Sequence, residues 1–109
     1  MTHSVTKAAV STAALLLALS PAAVLSADGE QLYQTKTCST CHGKDGKTPI
    51  MPMNPKIAGQ NQAYTLQQLA DIKSGARSNG QSAAMKGVMH LVSEEEMQAL
   101  SEYIATMAP

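Results

Sequence analysis

Residues 38–43 read CSTCHG and hold both cysteines of the 109-residue chain, with a histidine directly after the second. Two thiols at this spacing, followed by an imidazole, admit four chemistries. A redox-active C-x-x-C pair belongs in a βαβ context, and no stretch of this chain alternates apolar and polar residues as a strand does. A zinc ion takes four ligands in a tetrahedron. His42 is adjacent to Cys41 and hard to aim at the same ion, while the other histidines, His3 and His90, complete no zinc spacing. A structural disulfide suits an oxidising compartment. The fourth chemistry is covalent attachment of a haem, for which C-x-x-C-H is the signature. Thiols about one helical turn apart can reach vinyl groups on neighbouring pyrroles, and the next residue then lies beneath the iron. In that reading His42 binds through Nε2, and its Nδ1–H is held by a backbone carbonyl; the carbonyl near Pro49 is the expected partner.

The elements around this motif read as helices. Asp28 can cap a first helix, with Gln31 in capping-box register, running through Leu32 and Tyr33 towards Cys38. The stretch GKDGKTPIMPMNPKIAGQ is punctuated by Gly and Pro and reads as an ordered loop. A second helix is expected from about Asn61 to Ser74, with Leu66, Leu69 and Ile72 on one face and Gly75 as its stop. Residues 77–81 are polar and loop-like. Ser93-Glu94-Glu95-Glu96 is a capping box, and Met97, Leu100, Ile104 and Met107 form one apolar stripe on a last helix. The fold class is therefore all-α: three main helices and long loops, longer than a compact domain carries without a purpose.

Lys7, the apolar run Ala8 to Leu19, Pro21 and the small residues before Asp28 have the layout of a signal peptide. The run is short of the roughly 20 apolar residues of a membrane span. Residues 1–27 read as a cleaved leader, with cleavage after Ser26 or Ala27, and residues 28–109 as one domain exported to the periplasm, with no stable membrane insertion. From position 28 onwards there are seven basic and eight acidic residues, a balance that does not attract nucleic acid. The domain is also poor in core material, with no Phe, no Trp and three Tyr. Domains of this size need a staple, and a large apolar ring would supply one. Motif, export signal and helical context agree on haem.

CSTCHGKDG, PMNPKIAGQ, GQNQAYTLQQL, DIKSGAR and SEEEMQALSEYI together resemble a class I bacterial cytochrome c. The chain is similar to one half of the dihaem cytochromes c and to their short monohaem relatives. C-x-x-C-H is specific by itself, and G-Q-x-x-x-Y-x-x-x-Q-L after it strengthens the match. The resemblance covers essentially all of residues 28–109. It implies a monohaem electron carrier and not an enzyme, with one haem c bonded to Cys38 and Cys41, His–Met iron ligation, and transient redox partners at the haem edge. Two other readings stand beside it: a haem-c enzyme with an open sixth site, and a cytochrome subunit of a larger dehydrogenase complex.

The sixth iron ligand has several candidates. Met97 and Met107 lie on the apolar stripe of the last helix, where they serve as core. Met51 and Met53 follow His42 too closely to reach the opposite face and suit the ring edge. Met85 stands eight positions before the capping Ser93, as the ligand does in the family, and reads as part of a loop free to fold over the ring. Val92 departs from the family's Leu before that Ser. Met89 and His90 are the alternatives, and bis-histidine ligation would lower the potential. Gly59-Gln60 lets the loop approach the ring closely. Tyr64 either bonds a propionate or packs on the first helix; Arg77 either balances a propionate or is solvated.

Overall fold

The computed structural model describes residues 2–6, 8–9 and 27–109. The apolar run read as a leader lies otherwise outside the described residues. Among the described residues there are five helices and no strand, which is the all-α class: α1 (Gly29–Thr35), α2 (Cys38–His42), α3 (Gln62–Ser74), α4 (Ser82–Met89) and α5 (Glu94–Thr106).

Local chemistry sets the boundaries. Asp28 Oδ1 accepts from the amides of Glu30 and Gln31, opening α1. The first helix, expected to run towards Cys38, ends at Thr35, and the cysteines lie on a separate second helix. Thr37 adopts φ +66, a left-handed conformation uncommon for a non-glycine residue, and this breaks α1 from α2. The break frees the C-x-x-C-H turn to take its own direction. Gly43 then ends α2 with φ +87; a Cβ there would meet the Thr48 carbonyl oxygen at 2.3 Å. In α3, Asn61 caps the Tyr64 amide and Gly75 closes the helix in the left-handed region. In α5, Ser93 and Glu96 form a reciprocal capping box.

The helix α4 corrects the expected loop before α5. Its residues SAAMKGVM are mostly good helix formers, and Gly87 costs only about 1 kcal/mol relative to alanine. Packing on α3 compensates for that. The segment after α4 is tied down by two lysines: Lys36 Nζ donates to the Leu91 carbonyl at 2.7 Å, and Lys73 Nζ donates to the Val92 carbonyl.

The core is centred on α5. Met97, Leu100 and Ile104 pack with Tyr33 from α1, Leu69 and Ile72 from α3, Met89 from α4, and Val92. The α1–α5 crossing is tight. A Cβ at Gly29 would lie 2.3 Å from the Ala99 carbonyl oxygen, so glycine is required there. The rings of Tyr33 and Tyr103 meet at 5.7 Å with a 59° tilt. The Tyr33 hydroxyl donates to the Gly43 carbonyl at 2.6 Å and so ties the core to the end of α2. Burial, followed by the neighbouring Cys38, Tyr103 and Asp45, pushes the Tyr33 phenol up to about 12.

Candidate functional site

The residues of the C-x-x-C-H turn sit on one wall of a cavity of about 580 Å³, within the range of small-molecule and cofactor sites. Cys38 is half-buried and Cys41 exposed, and both thiols are free. Burial pushes the Cys38 thiol up to about 11, against a lowering contribution from its own backbone amide; the neighbouring Cys41 adds a smaller rise. His42 is buried, and its Nδ1 lies 2.8 Å from the Pro55 carbonyl oxygen. A carbonyl only accepts, so Nδ1 carries the proton and Nε2 keeps its lone pair for a ligand. The expected carbonyl near Pro49 is not the partner. The loop instead folds back on α2, where the Cys41 carbonyl accepts from the Ile50 amide and from Asn54 Nδ2. Those two bonds bring the Asn54–Pro55 link against the imidazole.

Helix α4 forms another wall. Met85 and Met89, one turn apart, both line the cavity, but their settings differ. Met89 is 2% exposed and belongs to the core cluster, whereas Met85 is half-buried and packs against that cluster from outside. Met85 thus stands on a helix and not in a free loop. Met51 and Met53 lie at the cavity rim and are exposed, while Met97 is core. His90 is exposed and is not part of the cavity wall. The cavity therefore gathers Cys38, Cys41, His42 and Met85, and leaves His90 out. Tyr64, Arg77 and Gln60 also line it, and Arg77 Nη1 donates to Gln68 Oε1 at 3.1 Å.

One wall residue carries no motif. Thr65 is 7% exposed, and its Oγ1 is a buried polar atom with no hydrogen-bond partner. The signal it does carry is a hydroxyl at a core register, one and two turns before Leu69 and Ile72.

The donor set excludes some chemistries. Although Cys38, Cys41 and His42 share the cavity, no group of three or more His, Cys, Asp and Glu among the described residues is disposed to hold a metal ion between them. Two thiols, one imidazole with a free Nε2 and one thioether around a largely apolar cavity suit a haem held through sulfur. Among the described residues, no helix is long and apolar enough to cross a membrane.

Comparison with known proteins agrees with this donor set. The family model described as Cytochrome c matches residues 26–108. A cytochrome c4 of Stutzerimonas stutzeri is 35% identical over 88 residues, covering 73% of this chain and 42% of that protein. A thiosulfate dehydrogenase electron acceptor of the same species is 35% identical over 102 residues, covering 87% of this chain and 44% of its own length. The chain thus spans less than half the length of these two relatives. A cytochrome c-553 of Nitratidesulfovibrio vulgaris is 31% identical over 91 residues, covering 84% of this chain and 87% of that protein. With a family match over nearly all of the helical region, and paired cysteines that imply covalent haem c, the chain belongs to the cytochrome c family, whose members are typically electron carriers and not enzymes.

Proposed function

We propose that residues 28–109 form a periplasmic monohaem electron carrier, exported by a leader at residues 1–27 that is removed after Ser26 or Ala27. Cys38 and Cys41 would hold the haem through thioethers, and His42 and Met85 would bind its iron. The bound haem supplies one iron that exchanges a single electron between Fe(III) and Fe(II). The chain's own residues then do three things. The Pro55 carbonyl fixes the tautomer and orientation of His42. Met85 offers a soft, uncharged donor, which raises the potential. The rim residues Ile50, Met51 and Met53 are exposed apolar surface beside the cavity and suit a small transient contact with redox partners, below roughly 1,200 Å².

The observation that carries this reading is the convergence of both thiols, a histidine with its Nδ1 already satisfied, and Met85 on one cavity. Met85 is preferred to Met89 because Met89 already fills core space. The test is a visible spectrum and intact mass of the exported protein. Haem mass bonded to the chain, a thioether-to-iron band in the oxidised form, and slow CO binding by the reduced form are expected. A colourless chain without added mass defeats the reading, and rapid CO binding by the reduced protein indicates an open-site enzyme.

The likeness to a thiosulfate dehydrogenase electron acceptor favours a second reading with the same chemistry, in which the domain serves as the cytochrome partner of a larger dehydrogenase. Co-purification from the source cell tests it.

A further inference from the structure

We propose that Thr65 is a haem-binding residue whose hydroxyl donates a hydrogen bond to a haem propionate, with Gln68 and Arg77 completing one polar corner of the cavity. The inference rests on the haem reading above and concerns how this chain holds the carboxylate edge of the ring.

A buried hydroxyl without a partner is destabilising, because it has lost its bonds to water and gained none in exchange. A helical threonine ordinarily avoids that cost by bonding a carbonyl three or four residues back, and Thr65 does not. Its place in α3 is a core register shared with Leu69 and Ile72. For packing alone, valine would have the same shape without the cost. A hydroxyl kept at such a position calls for an acceptor that arrives with the ligand.

The cavity identifies that acceptor by its charge. Among the described residues, no Asp or Glu lines it, and Lys56 and Arg77 are its two cationic residues. A haem brings two carboxylates of its own. One turn along from Thr65 on the same wall, Gln68 Oε1 holds Arg77 Nη1 at 3.1 Å. That bond leaves the guanidinium with further N–H donors, on a cavity that Thr65 also lines. A hydroxyl donor and a guanidinium on one cavity that no carboxylate lines are partners suited to a carboxylate.

The test compares holo-proteins carrying Thr65→Val and Thr65→Ser. Two properties are read: the propionate bending mode by resonance Raman, and the midpoint potential. In Thr65→Val the propionate mode is expected to shift and the potential to fall, because a carboxylate stripped of a donor stabilises Fe(III). Thr65→Ser keeps the hydroxyl and should match the wild type in both. If Thr65→Val assembles no haem, the same contrast is read between Thr65→Ser and Thr65→Ala. Wild-type values in the variant lacking the hydroxyl overturn the proposal. So does an unchanged propionate mode with a displaced thioether-to-iron band, which assigns the hydroxyl to the Met85 sulfur. A wild-type chain that carries no haem defeats the underlying reading, and this one with it.

Discussion

Two methionines one turn apart on α4 stand in different settings. Met85 is half-buried on the cavity wall, and Met89 is a core residue at 2% exposure. Met85→Ala should keep the covalent haem but lose the thioether-to-iron band, leaving a high-spin or open iron that binds CO rapidly when reduced. Met89→Ala should keep the band and lose about 2–5 kcal/mol of stability by opening a cavity in the core, read by chemical denaturation of the holo-protein. The reverse pattern would exchange the two roles. That Cys38, Cys41 and His42 face one cavity was legible in the sequence because their spacing puts them on one short turn. Pro55 and Thr65 were not. The carbonyl that orients His42 depends on how residues 43–60 fold back on α2 through the bonds to the Cys41 carbonyl. The isolation of the Thr65 hydroxyl depends on what surrounds it, and a one-letter code records neither.

Helix ends were legible wherever a side chain defines them. Asp28, Asn61, Gly75 and the Ser93–Glu96 box all stand where their residue types suggest. The break at Thr37 and the existence of α4 were not, because the first is a left-handed threonine and the second a short helix containing glycine that packs on α3. The capping box yields a measurable pair of outcomes. Ser93→Ala should cost about 1 kcal/mol of stability through the lost bond to the Glu96 amide. On the other side of the box, the Ser93 amide holds the Glu96 carboxyl below its ordinary value of 4.5, against the opposing effect of burial, and Lys36 at 3.5 Å adds a lesser lowering. A depressed carboxylate stabilises the fold above its unfolded value, and that stability is lost as pH falls through the folded value. Glu96→Gln keeps a capping-box acceptor but cannot titrate. Its thermal midpoint should therefore fall less steeply than the wild type's as pH drops below about 4.5. Parallel acid profiles would remove Glu96 from the account.

The arrangement of the helices shows what the molecule lacks by itself. Among the described residues, α5 packs on α1 and α3, α2 meets only α1, and α4 meets only α3. The wall bearing Cys38, Cys41 and His42 and the wall bearing Met85 therefore do not pack on each other; they face the same cavity of about 580 Å³. The core that joins the other helices is small, and its one buried aromatic is Tyr33. A domain of this size with so little apolar material is marginal without a staple. A ring bonded to α2 and ligated from α4 would join the two walls directly. A cofactor that binds only the folded state stabilises it by linkage, and here it would do so at the place where helix contacts are missing. The double variant Cys38→Ala/Cys41→Ala should accordingly yield a chain without stable haem and largely unfolded, with most of the far-ultraviolet helical signal lost at temperatures where the holo-protein is native. Partial restoration by noncovalent haem would agree with this, since His42 and Met85 remain to bridge the same two helices. A cofactor-free double variant that kept native-like helicity and a cooperative melt would show instead that the α1–α3–α5 core suffices alone, and that the cavity is a consequence of the fold and not a condition for it.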